Sequence, residues 1–293
     1  MEKIVGLDFC VKNSAVSLGK FDGIHRGHQC LLERIKKQNK YIPTVFTFVM
    51  AEKQPKIYTQ QEKDSILEQF GIQREVLYPF EESTKNMLPE AFVSKILMEK
   101  MDTKYICVGE DFRFGKDRAG DVTLLEALKN KYGYTLEIVE KLRLDGDVVS
   151  STRIRKLLST GELKKANVLL GIPFFVQGQV IHGEALGRTL DLPTANLIPV
   201  PEKILLPDGV YATTVRVDGK EYAGVTNIGK KPTVGEHIRG IETHILDFKE
   251  DIYGQEICVS FIDYIRPEMK FSSVEELRTR IEQDKNVRKK LQK

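Results

Sequence analysis

The chain reads as an α/β half followed by a β half: a parallel, doubly wound sheet first, then a small antiparallel β-barrel closed by a C-terminal helix. Three observations predict this. Up to about Gly171, short apolar strand-like runs alternate with amphipathic helical patterns, as a parallel sheet with crossover helices requires. After Ile172-Pro173, strand-like runs follow one another with turn residues between them, and helical periodicity returns only near the end. The 293 residues, 41% hydrophobic and 30% charged, are enough to bury two ordinary cores. The domains are therefore expected at 1–171 and 172–293.

In the first half, the apolar run Ala15 to Leu18 is a strand, leading through a glycine-rich turn into a helix over Gln29 to Gln38 with Leu31, Leu32 and Ile35 on one side. Val45 to Phe48, Glu75 to Phe80, Tyr105 to Gly109 and Thr135 to Val139 are the following strands. Thr59 with Glu62 makes a capping box for a helix that Gly71 closes. Pro89 sits in the first turn of a helix running to Met101, and Gly133 ends the helix carrying Leu124, Leu125 and Leu128. In the second half, Val176 to Ile181, Val210 to Val217, Glu221 to Val225, Glu242 to Phe248 and Ile257 to Ile265 are strands, with Asp218-Gly219 as a tight turn. Ser273 and Glu276 form a second capping box, opening a helix whose apolar stripe starts at Leu277 and Ile281. No internal repeat or low-complexity segment is present.

Composition narrows the function classes. With 45 basic and 42 acidic side chains the net charge is +3, which gives no electrostatic case for nucleic acid or a membrane surface as the main partner. Cys10, Cys30, Cys107 and Cys258 are scattered, which fits a reduced, cytoplasmic compartment better than a disulfide framework. No signal-peptide core and no apolar run long enough to cross a bilayer is found, so a soluble chain is expected, with a monomer as the default state.

The chemistry is concentrated in Gly19-Lys20-Phe21-Asp22-Gly23-Ile24-His25-Arg26-Gly27-His28. Glycines there let backbone approach a ligand, the free N–H groups of a helix start favour an anion, and His25 and His28 add two polar side chains at the same place. A zinc site using His25 and His28 with Cys10 or Cys30 is the rival reading, but no second ligand pair at metal spacing accompanies them. Two more segments occupy the same topological position after later strands: Val108 to Gly115, and Ser150-Ser151-Thr152-Arg153 at a helix start. Carboxyl ends of parallel strands point one way, so these segments should converge on one crevice. Ser151 and Thr152 would cap the last helix, and Arg153 supplies a fixed cation with a fork matched to phosphate oxygens.

The pattern Gly-x-Phe-Asp-Gly-x-His-x-Gly-His resembles the nucleotide-binding signature of the adenylyltransferase domain in bacterial bifunctional riboflavin kinase/FAD synthetases. Val108-Gly109-Glu110-Asp111-Phe112-Arg113-Phe114-Gly115, Gly120-Asp121 and Ser150 to Arg155 match the same family. The resemblance implies a Rossmann-like nucleotidylyltransferase domain that joins FMN to ATP, giving FAD and pyrophosphate. It places ATP on Gly19, Phe21, Asp22, Gly23, Ser151 and Thr152, flavin against Asp111, Phe112 and Phe114, and charge neutralisation on His25, His28 and Arg153. One departure stands out: the family's Pro-His-Pro element is replaced by Thr47-Phe48-Val49-Met50-Ala51-Glu52-Lys53-Gln54-Pro55.

In the second half, Gly183 and Gly187 flank a loop suited to phosphates, followed by Arg188, and Pro193-Thr194-Ala195-Asn196 offers side-chain oxygens acceptable to Mg²⁺. Together these resemble the riboflavin kinase signature. Gly209-Val210-Tyr211, Asn227-Ile228-Gly229 with Pro232-Thr233, Glu242-Thr243-His244, Tyr253-Gly254 and Arg266 to Phe271 continue the match in order, while Asp191 stands where the family carries glycine. The resemblance implies that Gly183, Gly187 and Arg188 bind ATP, that Thr194 and Asn196 hold Mg²⁺, and that Glu242 takes the proton of the riboflavin 5′-hydroxyl. The expected protein is bifunctional, with riboflavin, FMN and ATP as its small-molecule partners. The alternatives are a riboflavin kinase with an impaired first domain, prompted by the missing Pro-His-Pro, and a non-catalytic flavin or nucleotide sensor.

Overall fold

In the computed structural model the described residues are 1–50, 54–182, 193–230 and 239–291. The chain forms two compact units, one of Met1–Gln54 with Thr59–Ser151, the other of Pro55–Tyr58 with Thr152–Lys293.

The first unit begins with β1 (Glu2–Val5) and β2 (Ser14–Leu18), then α1 (Arg26–Lys36), β3 (Ile42–Val49), α2 (Gln60–Gln69) and β4 (Arg74–Pro79). A short α3 (Glu82–Lys85) and α4 (Pro89–Ala91) follow, and α4 runs on as a π-helix over Phe92–Lys100. β5 (Thr103–Gly109), α5 (Val122–Tyr132), β6 (Thr135–Val139) and a hairpin of β7 (Arg143–Leu144) and β8 (Asp147–Val148) complete the unit. The sheet has six parallel strands in the order β1-β4-β3-β2-β5-β6. β1 is an addition to the sequence reading: four residues with one half-buried side chain carry too weak an alternation to register. From β2 the chain winds one way to β3 and β4, then returns to place β5 on the other side of β2. The winding therefore reverses between β2 and β5, and the crevice at such a reversal opens beyond their carboxyl ends. Val16, Leu18, Phe46, Val76, Ile106 and Val108 from the strands pack with Phe92, Val93 and Leu97 into the core that fixes those ends.

From Thr152 the second unit takes up α6 (Ser151–Ser159), whose first residue still belongs to the first unit, and α7 (Leu163–Leu170). β9 (Phe175–Gln179), β10 (Thr194–Leu197), β11 (Gly209–Val217), β12 (Lys220–Lys230), β13 (Arg239–Ile245), β14 (Glu256–Arg266) and α8 (Val274–Lys290) follow. All six strands pair antiparallel, in the order β10-β13-β12-β11-β14-β9. The two end strands meet again at a single bridge, where the Ile181 N–H donates to the Asn196 carbonyl at 2.9 Å. That bridge joins the ends of the sheet as a small barrel. Inside, the hydroxyls of Thr213, Thr226 and Thr243 form a buried ladder across β11, β12 and β13 at 2.8 and 2.9 Å.

Pro55–Tyr58 belongs to this second unit although it lies between β3 and α2. Lys56 pairs with Lys203, and the rings of Tyr58 and Phe175 stack at 4.7 Å. The buried Lys203 ammonium donates to the carbonyls of Ile57 and Phe175 at 2.7 and 2.9 Å and lies over the Tyr58 and Phe174 rings.

Several expected details shift. The second capping box is only half made: Ser273 Oγ accepts from the Glu276 N–H, but the Glu276 carboxylate accepts from the N–H and hydroxyl of Ser272, one residue earlier. The Thr59 box forms in full, with both reciprocal bonds present. α1 begins three residues before the expected Gln29, because His25 itself serves as its cap.

Candidate active sites

At the first site, β2 delivers Gly19, whose N–H donates to the Phe46 carbonyl of β3 at 3.1 Å. The chain then turns through Phe21, Gly23 and Ile24, all at positive φ (50°, 82° and 38°). Phe21 and Ile24 are fully buried, and a β-branched residue in that region is a strained choice. The buried side chains lock the turn in a form their own backbone disfavours. His25 Nδ1 accepts from the His28 N–H at 3.4 Å, and the two imidazoles stack with centroids 3.7 Å apart. Gly27 permits this, since a Cβ there would lie 3.2 Å from the His25 ring. His28 also leans on the Phe21 ring, and its Nδ1 is buried with no hydrogen-bond partner.

Burial sets the protonation of both rings. Desolvation pushes His25 from 6.5 down to about 4. His28 is driven well below its ordinary value by burial first, then by the positive charge of His25 and of Lys63. At neutral pH the site thus presents two stacked, uncharged imidazoles.

The Ser151 hydroxyl donates to the Asp22 carbonyl at 2.8 Å, so the segment opening α6 does meet the glycine-rich turn. α6 starts at Ser151, however, which puts Ser151 and Thr152 inside its first turn and leaves the cap position to Ser150. Arg153 follows in that turn, half-buried.

The Asp111 to Gly115 loop follows β5, on the strand beside β2. Asp111 is exposed and paired with the Lys141 ammonium at 2.9 Å. Phe114 is not a lining residue: it is 3% exposed, bridged to Gly120 in both directions and packed on Phe92. Alternation of buried and open positions explains this, for Phe112 lies half-buried and stacked on Phe114 at 5.5 Å. Phe112 is the more open ring of the stacked pair, and Phe114 is the buried one. The altered stretch after Phe48 falls partly on residues 51–53, outside the described residues.

At the second site, Glu242 lies mid-strand in β13 and not at a strand start, because β13 already pairs with β12 from Arg239. Antiparallel register sets Asn196 and Asn227 on either side of Glu242 on one face, and Thr194 and Val225 on either side of His244. Thr194 Oγ1 donates to Glu242 Oε1 at 2.8 Å. Thr194, the expected metal ligand, and Glu242, the expected base, are therefore in direct contact. His244 Nδ1 bonds the Pro193 carbonyl at 3.0 Å, and burial lowers its proton affinity. Gly183, Gly187, Arg188 and Asp191 lie outside the described residues, as do Pro232 and Thr233.

Two cavities flank this contact. One of about 290 Å³ is lined by Glu242, His244, Asn227, Arg266, Met269 and Phe271, with Leu277, Ile281 and Asp284 from α8. The other, about 210 Å³, is lined by Pro193, Ile245, Phe248, Lys249, Asp251 and Tyr253. Thr194 lines both. Sequence reasoning assigned no role to Asn227, Arg266 or Asp284. Arg266 holds the buried Asp284 carboxylate at 2.9 Å, anchoring α8 over the larger cavity. Asn227 donates to Glu268 at 2.9 Å at its edge. These residues meet only through strand register and helix docking, which spacing along the chain does not reveal.

Comparison with known proteins gives a family for each half of the chain. Residues 9–153 match the FAD synthetase family model, and residues 170–292 match the riboflavin kinase model. A bifunctional riboflavin kinase/FMN adenylyltransferase of Haemophilus influenzae is 33% identical over 94% of this chain and 92% of its own. Its namesakes in Pseudomonas fluorescens and Escherichia coli K12 are each 34% identical, covering 93% and 92% of this chain and 91% and 90% of theirs. A Streptococcus pneumoniae crystal structure described as a macrolide-efflux protein superposes with a TM-score of 0.85 at 30% identity, covering 99% of both chains. Among the described residues no helix is long and apolar enough to cross a membrane. With about a third of its residues identical across more than nine-tenths of its length, the chain belongs to the bifunctional riboflavin kinase/FMN adenylyltransferase family.

Proposed function

We propose that the chain makes both flavin cofactors: riboflavin and ATP give FMN and ADP, and FMN and a second ATP give FAD and pyrophosphate. The kinase is assigned to residues 172–293 and the adenylyltransferase to residues 1–171. The observation that carries the kinase reading is the Thr194–Glu242 contact standing between two cavities. A phosphoryl transfer needs donor and acceptor on opposite sides of one point, with a base at that point.

Riboflavin suits the larger cavity, walled by apolar side chains and Phe271 with polar groups at its rim. Its 5′-hydroxyl oxygen attacks the γ-phosphorus, the bond to the β-phosphate oxygen breaks, and the proton passes to Glu242. We assign ATP to the smaller cavity, and its binding also to Gly183, Gly187 and Arg188. Thr194 and Asn196 are hard oxygen donors of the kind that suits Mg²⁺ shared with nucleotide phosphates; among the described residues no cluster of three His, Cys, Asp or Glu side chains offers a metal cage of its own. Bound there with ATP, the ion would neutralise charge on the transferring phosphoryl group.

Within residues 1–171 an FMN phosphate oxygen attacks the α-phosphorus of ATP and pyrophosphate leaves, with no covalent enzyme intermediate. We assign the phosphates to the Gly19, Phe21, Asp22 and Gly23 turn and to Ser151 and Thr152. The flavin is assigned to Phe112 beside Asp111, and charge neutralisation to Arg153, His25 and His28. The imidazoles enter uncharged and donate hydrogen bonds, or take up protons as the triphosphate binds.

Incubating the protein with riboflavin, ATP and Mg²⁺ and resolving the flavins by chromatography tests the reading. FAD accumulation supports both activities. FMN alone would restrict the protein to a kinase, consistent with its altered Pro-His-Pro stretch. No turnover would leave a flavin or nucleotide sensor.

A further inference from the structure

Beneath the glycine-rich turn lies a charged group that the mechanism above does not use. Lys63, in the first turn of α2, is 7% exposed, and its ammonium donates to the Lys20 carbonyl at 3.3 Å. A buried lysine is costly unless its charge is compensated and its donors are used. The compensation is built in. Glu75, fully buried on β4, accepts from the Gln60 amide through both carboxylate oxygens at 3.0 and 3.1 Å, and Gln60 also binds Asp64 at 2.6 Å. Burial raises the proton affinity of Glu75 and the Lys63 charge opposes that rise, while the same charge acts on His28. The capping box of Thr59 and the buried Glu62 fixes the start of α2, so the lysine is held in place from its own helix as well. A lysine is thus carried into the interior, within electrostatic reach of the buried Glu75, and is bonded to the backbone of the glycine-rich turn.

We infer that Lys63 is a positioning residue of the adenylyl-transfer site, holding the Gly19–Gly23 turn through the Lys20 carbonyl and adding positive charge to that turn. The inference rests on the adenylyltransferase reading. Negative charge grows on pyrophosphate as it leaves, so a fixed cation at the turn stabilises the transition state more than bound ATP. Its removal should therefore fall on kcat.

The test compares Lys63→Met and Lys63→Arg with the wild-type full chain, measuring FAD formation from FMN, ATP and Mg²⁺. FMN formation from riboflavin and the thermal transition are followed in the same preparations. Lys63→Met is expected to lower kcat for FAD formation about 100-fold, the size of one lost transition-state contact, with KM for ATP changed less than about threefold and FMN formation unaltered. Lys63→Arg, which keeps the charge, is expected to recover to within about tenfold of wild type. A Lys63→Met protein within about threefold of wild-type kcat overturns the inference. So does a loss expressed wholly in KM, or an arginine variant as poor as the methionine one. Should Lys63→Met fail to fold, Lys63→Arg alone decides: a folded arginine variant without FAD formation overturns the inference and one that retains it supports it. A wild-type chain that makes no FAD sinks the adenylyltransferase reading itself, a result separable from all of these.

Discussion

Glu242 illustrates how much one residue's chemistry depends on its neighbours across the sheet. Its carboxylate already accepts one hydrogen bond from Thr194 and sits between Asn196 and Asn227 in register. Glu242→Gln preserves this shape but cannot accept a proton, so FMN formation should fall about 10²–10⁴-fold while added FMN still converts to FAD. His28→Ala should do the reverse, and loss of both reactions from either variant in a folded protein would overturn the division between units. The two imidazoles also carry a pH signature. Each binds its proton less readily in the folded chain than in the unfolded one, so between 6.5 and about 4 the unfolded state holds more protons. Stability is therefore fully present above 6.5 and falls as pH drops through that window, by about 1.4 kcal/mol per pH unit for each differential proton. Chemical denaturation at several pH values checks this, and His28→Asn should flatten the slope.

Among the elements, the loop after β5 is the one whose packing rules are strictest. Gly115 sits at a φ of 72°, and a Cβ there would come within 2.7 Å of the Pro89 ring and 2.8 Å of its Cα. Neither the backbone nor a proline ring yields cheaply. Gly115→Ala should cost about 1–3 kcal/mol and displace the Phe112–Phe114 stack, lowering FAD formation more than FMN formation. Paired flavin assays on the purified variant, with a thermal melt, test both parts. α1 makes a related point: its cap is a histidine whose ring bonds the His28 N–H, so the residues of the motif also build the helix that presents them.

At the scale of the molecule, the two units are not consecutive stretches of chain. Ile57 and Tyr58 are fully buried within the second unit, covered by Phe174, Phe175 and the Lys203 ammonium. Lys203→Ala removes a buried donor from two carbonyls and the packing of its stem. A loss of about 2–4 kcal/mol is expected, read as a lowered thermal midpoint, with FMN formation declining at temperatures where wild type is stable. A variant as stable as wild type would show that the segment contributes little.

The sequence determined the order of elements, the parallel and antiparallel halves and the glycine-rich turn, because these rest on local signals: periodicity of apolar residues, caps such as Thr59 with Glu62, and turns such as Asp218-Gly219. Register, burial and protonation came from tertiary structure alone. Phe112 and Phe114 look alike in sequence, yet only packing against Phe92 and Gly120 makes one a support and leaves the other open. Thr194 and Glu242 are 48 residues apart, and only strand pairing joins them. The histidines of the opening motif read as candidate cations in the chain, and desolvation in the folded turn is what makes them neutral.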